Sequence, residues 1–140
     1  MENANKKTTV ETTVNVPIEK AWQFWSEPKH IMQWCQASVD WHAPKAENDL
    51  RTGGKFSTTM AAKDGSFSFD FAGEYTHVVP NNFIAYQMED GRTAEITFNP
   101  EGDRTHISET FELENQNPEE MQREGWQALL DSFKKYTESN

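Results

Sequence analysis

In the segment Thr105-His106-Ile107-Ser108-Glu109-Thr110-Phe111-Glu112-Leu113, every second residue from Ile107 onward is apolar except one, and that one is Glu109. On an extended chain Glu109 shares a face with Ile107, Phe111 and Leu113, so an inward face would carry a carboxyl group into the core. Desolvation penalises the charged form and raises the pKa, which suits a general acid, a general base or an anchor for a polar ligand group. The plainer alternatives are a glutamate at a strand end reaching water, or a buried acid satisfied by a neighbouring hydroxyl. A second stretch alternates Phe67, Phe69, Phe71, Gly73 and Tyr75 with Ser68, Asp70, Ala72, Glu74 and Thr76. It predicts a strand with one apolar face, whose rings either pack into an ordinary core or wall a cavity for a greasy ligand.

The other reactive residue types carry less. Glu74 and His77 are three apart, as are His106 and Glu109, which places the members of each pair on opposite faces of a strand. Asp40 and His42 could share a face but make only two ligands, so no metal site is expected. Cys35 has no nearby histidine in sequence to activate it. Gly53, Gly54 and Gly73 fit no phosphate-binding or dinucleotide fingerprint and serve the bends of a sheet instead. The sequence therefore predicts no cofactor.

The chain of 140 residues is of single-domain size, and nine Phe, five Trp and three Tyr offer a bulky core although only 35% of residues are hydrophobic. The 23 acidic residues outnumber the 13 basic ones, and the basic residues form no stripe, which disfavours nucleic acid and anionic membranes as partners. One cysteine, a polar start from Met1 to Lys7 and no long apolar run together predict a cytoplasmic protein with a polar tail over residues 1–7 and one domain over residues 8–140.

Thr8 to Val16 reads as a first strand with Val10, Val14 and Val16 on one side. Pro17 opens a short helix bearing Ala21, Trp22, Phe24 and Trp25, and a second short helix spans roughly Pro28 to Trp34. Ser38 to Asp49, interrupted by Pro44, makes a weak strand at an edge. After Gly53-Gly54, turn residues at Asp64-Gly65, Pro80-Asn81-Asn82, Asp90-Gly91 and Glu101-Gly102-Asp103 separate period-two segments in a meander. From Pro118 the period becomes 3.6: Trp126, Leu129, Leu130, Phe133 and Tyr136 fall within an arc of roughly 120°, opposite Arg123, Glu124, Asp131 and Lys135. Asn117 is the predicted N-cap and Pro118 the first helical residue. Gly125 inside this helix implies close approach by a strand, or a place beside Trp126 in a pocket wall.

One strand, two short helices, further strands and a long helix form the helix-grip pattern: an α+β, START-like fold in which a curved antiparallel sheet of about six strands holds the C-terminal helix. Several short patterns narrow it. Pro17-x-x-x-Ala21-Trp22, Pro28-x-x-Ile31-x-x-Trp34, Asp49-Leu50-Arg51-x-Gly53-Gly54-Lys55-Phe56, Asp64-Gly65-Ser66, Gly73-Glu74-Tyr75 and Gly125-Trp126-x-x-Leu129-Leu130 occur in this order. With them the sequence resembles the family related to the C-terminal domain of the activator of heat-shock-protein-90 ATPase, within the START-like (SRPBCC) superfamily. The resemblance implies an internal cavity, and fold alone does not choose among lipid carriers, metabolite binders, cyclases and a chaperone activator. Three expectations follow, in order. The first is binding of a small apolar molecule by Phe67, Phe69, Phe71, Ile107, Glu109, Trp126, Leu129, Leu130 and Phe133, without covalent chemistry. The second is a chaperone-cofactor or stress-related role using the outer surface. The third is a cyclase- or hydrolase-like enzyme with Glu109 as its one catalytic candidate.

Overall fold

The computed structural model describes residues 6–36 and 38–140. Of the predicted tail, residues 1–5 lie outside the described part. Lys6 already accepts a hydrogen bond from the Leu113 N–H through its carbonyl, at 2.9 Å, and Lys7 opens the first strand.

The elements in chain order are β1 (Lys7–Val14), α1 (Ile18–Ser26), α2 (Pro28–Trp34), β2 (Trp41–Asn48), β3 (Lys55–Ala62), β4 (Ser68–Val79), β5 (Phe83–Met88), β6 (Thr93–Glu101), β7 (Arg104–Glu112) and α3 (Glu119–Ser139). All seven strands join one antiparallel sheet in the order β1-β7-β6-β5-β4-β3-β2. The meander runs from β2 to β7, and β1 closes onto the far side of β7, so α1 and α2 carry the chain from one sheet edge to the other. The segment around Pro44 is the edge strand β2, where the pairing register shifts between His42 and Lys45. An edge tolerates the missing proline N–H. The β3–β4 turn has Gly65 at φ +80°, and the Asp64 carboxylate accepts the Ser66 N–H at 2.8 Å.

Helix α3 starts one residue later than expected. Pro118 is its N-cap and makes no side-chain cap bond, while the Asn117 amide donates to the Glu114 carboxylate at 3.0 Å. Gln122 fastens this end, donating to the Asn117 carbonyl at 2.8 Å and accepting from the Glu114 N–H at 3.0 Å. The other end is tied to β1 and α2: Lys134 Nζ donates to the Thr13 carbonyl at 2.6 Å, and Ser132 Oγ to the Trp34 carbonyl at 2.6 Å. Beneath it Phe133 meets Trp25 and Trp34, with ring centroids 4.9 and 5.1 Å away, and Trp25 and Trp22 both pack edge-on against Phe98. None of the described helices is long and apolar enough to cross a membrane.

Candidate functional site

Three inward rows of the sheet make the floor of a cavity. Val10, Glu109, Ile96 and Ile84 lie side by side across β1, β7, β6 and β5. Two residues along, the row is Phe111, Ala94, Tyr86 and Tyr75, across β7, β6, β5 and β4. A third row crosses β2, β3, β4 and β5 as Asn48, Phe56, Gly73 and Met88. Gly73 is required there: a Cβ would come within 2.4 Å of the Gln87 carbonyl and 2.9 Å of the Phe56 ring. The rows set large rings beside small residues, and α3 passes over them without filling the space. The result is a cavity of about 440 Å³ between the sheet, the end of α2 and the first half of α3, a volume typical of small-molecule sites.

Its walls are largely aromatic, from Trp25, Trp34, Phe56, Phe71, Tyr86 and Trp126. Trp126 stacks on Phe111 with ring centroids 3.9 Å apart and planes 5° from parallel. It also packs edge to face with Phe71, ring centroids 6.2 Å apart, so one side chain spans the roof from β7 to β4. Arg92, Glu114, Asn117, Met121 and Gln122 also border the cavity. The Arg92 guanidinium is engaged by Asp90 Oδ2 at 2.8 Å.

Glu109 lies on the cavity floor between Val10 and Ile96, and only 6% of it is exposed. Burial pushes its pKa up to about 8, and no hydrogen bond from the described residues offsets that burial. Cys35, at the end of α2, and Tyr86, on β5, face the same region. Burial, with Glu109 adding to it, pushes the thiol up to about 12 and the Tyr86 phenol well above its ordinary value. Tyr75, beside Tyr86, is also raised by burial, although its hydroxyl donates to Asn48 Oδ1. A neutral carboxyl, a thiol and a phenol thus face one region of an aromatic chamber.

Of the nine residues expected at such a site, Phe69, Phe71, Glu109, Trp126, Leu129 and Leu130 line the cavity. Three do not. Phe67 precedes β4 in the hairpin turn, is 59% exposed and packs on Trp41 and Phe69. Ile107 is fully buried but pairs with Phe98, one row deeper into the solid end of the core. Phe133 is the plug of that end, between Trp25 and Trp34. Gly125 is not approached by any strand: a Cβ there would meet nothing within 4 Å, and the residue borders the cavity. His106 turns away from Glu109, bonding Thr13 at 3.0 Å and Glu11 at 2.8 Å on the outer face, as their spacing requires.

The family described as "Activator of Hsp90 ATPase homolog 1-like protein" matches residues 15–138, nearly the whole chain. The chain belongs to this family. A solution structure of the AHSA1-like protein from Aeromonas hydrophila superposes with TM-score 0.90 at 40% identity, over 95% of this chain and 92% of that one. A protein from Cytophaga hutchinsonii is 57% identical, with TM-score 0.82 over 99% of this chain and 94% of its own. One from Chromobacterium violaceum, 22% identical with TM-score 0.84 over 96% of this chain and 98% of its own, shares the fold. No match was found among curated proteins.

Within this AHSA1-like domain, sequence reasoning missed Tyr86 and Cys35 as neighbours of Glu109. Tyr86 had a signal, since Ile84, Tyr86 and Met88 alternate in β5 and all three are buried. Cys35 had none: only the packing of α2 against the sheet brings it to the carboxyl.

Proposed function

We propose that this AHSA1-like domain binds a small, mainly apolar molecule in the cavity between the sheet and the first half of α3. One observation carries the reading: the chamber of about 440 Å³ is walled by aromatic rings and opens onto Glu109, whose desolvated carboxyl group takes no hydrogen bond from the described residues. A buried polar group without a partner costs free energy, and a ligand that supplies the partner recovers it while its apolar body contributes about 25 cal/mol per Å² buried. No covalent step is required, and catalysis by Glu109 stays a lesser reading. Native mass spectrometry of the protein from its own host, with thermal shifts against a hydrophobic compound library, tests the proposal. A copurifying small molecule whose addition raises Tm supports it. Bare protein and an unmoved Tm throughout the library would remove it.

A second reading rests on the outer surface. The family's description names activation of the Hsp90 ATPase, and Trp41, Phe67 and Phe69 form an aromatic corner with Phe67 and Phe69 exposed. Docking of a chaperone on this corner would raise its ATPase rate in a matched assay, and a Phe67→Ser variant would lower that gain. An unchanged rate with wild-type protein would end this reading.

A further inference from the structure

The charged and polar groups around the cavity are unequal in sign. Glu47, Glu109 and Glu114 line it, against Arg92 alone among cations of the described residues. Arg92 is already committed to Asp90 at 2.8 Å and to the Glu112 carbonyl at 3.4 Å. Eight aromatic side chains line the cavity, and the negative face of a π-system attracts a cation, more strongly where water is excluded. The chain as a whole carries a net charge of −10, which concentrates cations and repels anions near the mouth. A carboxylate ligand would meet these acids with no free cation to answer it. A positively charged nitrogen would find Glu109 on the floor and aromatic rings along the walls.

Resting on the ligand-binding reading above, we propose that the site selects an organic ammonium, its hydrophobic body between the aromatic walls and its nitrogen against the Glu109 carboxylate. Around Glu109 stand Cys35 from the end of α2 and Tyr86 from β5 with Tyr75 behind it, while Val10 and Ile96 flank it on the sheet and Arg92, before β6, borders the same cavity. The thiol and the phenol are pushed upward by burial and stay protonated near neutrality. Glu109 is therefore the group that changes state: it is neutral in the free protein below about pH 8 and ionised in the complex. Binding of the ammonium below that pH releases about one proton.

The test uses three probes of one skeleton: 2-(2-naphthyl)ethylamine, 2-(2-naphthyl)ethanol and 3-(2-naphthyl)propanoate. Each is titrated calorimetrically into the whole protein near pH 6.5, in two buffers of different ionisation enthalpy. The amine should bind about 10-fold or more tighter than the alcohol, the propanoate weakest, and only the amine should show release of about one proton. Glu109→Gln should lower amine affinity about 10-fold, keep alcohol affinity within about 2-fold and abolish the proton release. An alcohol that binds as tightly as the amine, or an amine preference that survives Glu109→Gln, overturns the ammonium assignment and leaves the cavity reading standing. Failure of all three probes, the neutral alcohol included, overturns both.

Discussion

The two halves of α3 carry one continuous hydrophobic stripe, yet the sheet answers them differently. Under the C-terminal half, Phe133 is sealed against Trp25 and Trp34, Trp25 packs in turn on Phe98, and hydrogen bonds from Ser132 and Lys134 fix the helix to α2 and β1. Under the N-terminal half, the facing rows contain Ala94, Gly73 and Thr58, and Trp126 bridges the gap by stacking on Phe111. Met121, on the same half, remains 57% exposed. The difference lies in the size of the residues on the strands rather than in the helix. A helix of uniform amphipathicity is seated firmly at one end by large side chains and held over a chamber at the other by small ones.

A chamber with a lone carboxyl costs stability, and that cost has a pH signature. The folded-state pKa of Glu109 is raised to about 8 from an ordinary value of 4.5, so the folded protein holds a proton that the unfolded chain gives up. Stability is unaffected by Glu109 below about pH 4.5, falls as pH rises from there to about 8, and is flat above it. One pKa unit is worth about 1.4 kcal/mol, which sets a ceiling near 5 kcal/mol on the loss. Glu109→Gln should remove this slope, so that variant and wild type differ most at pH 9 and least at pH 4 in urea melts. Parallel curves at both pH values would show that the carboxyl reaches water through the chamber.

The solid half should respond to truncation by comparable amounts but without any pH dependence. Phe133→Ala removes a ring with no exposure at all, surrounded by rings that cannot collapse onto the gap, and is expected to cost about 3–5 kcal/mol. Leu129→Ala, on the half-buried stripe over the chamber, should cost about 1 kcal/mol. Equal losses from the two substitutions, measured by chemical denaturation, would erase the distinction between the halves.

Most of the architecture was legible because alternation and helical period are local properties. The valines of β1, the aromatic face of β4, the face Glu109 shares with Ile107, Phe111 and Leu113, and the apolar arc of α3 all follow from spacing alone, while the inward direction of the Glu109 face needed the packing. Even the edge position of β2 followed from Pro44. The division of the core into a filled and a hollow end did not, because it depends on which rows of different strands come opposite each turn of α3. Alternation and helical spacing therefore point to Ile107 and Phe133 as cavity residues, while both belong to the filled end. Phe67 failed for a simpler reason: its alternation with Phe69 and Phe71 runs one residue past the start of β4 into the turn. The N-cap shift from Asn117 to Pro118 reflects a competing partner, the Glu114 carboxylate, that sequence proximity alone does not rank.

The smallest effect expected is a gain. Gly125 sits in the middle of α3, where glycine costs about 0.8–1 kcal/mol relative to alanine, and packing does not call for it, since a Cβ would meet nothing within 4 Å. Gly125→Ala should therefore raise stability by up to about 1 kcal/mol with an unchanged denaturant slope. A bulkier change separates the helix from the chamber: Gly125→Leu restores helix propensity equally well but places a branched side chain at the cavity border. If the glycine is retained to keep that border open, the leucine variant matches the alanine variant in stability and loses naphthyl-probe binding. If it binds as well as wild type, the space beside Gly125 has no part in admitting a ligand, and the entrance lies elsewhere along the rim.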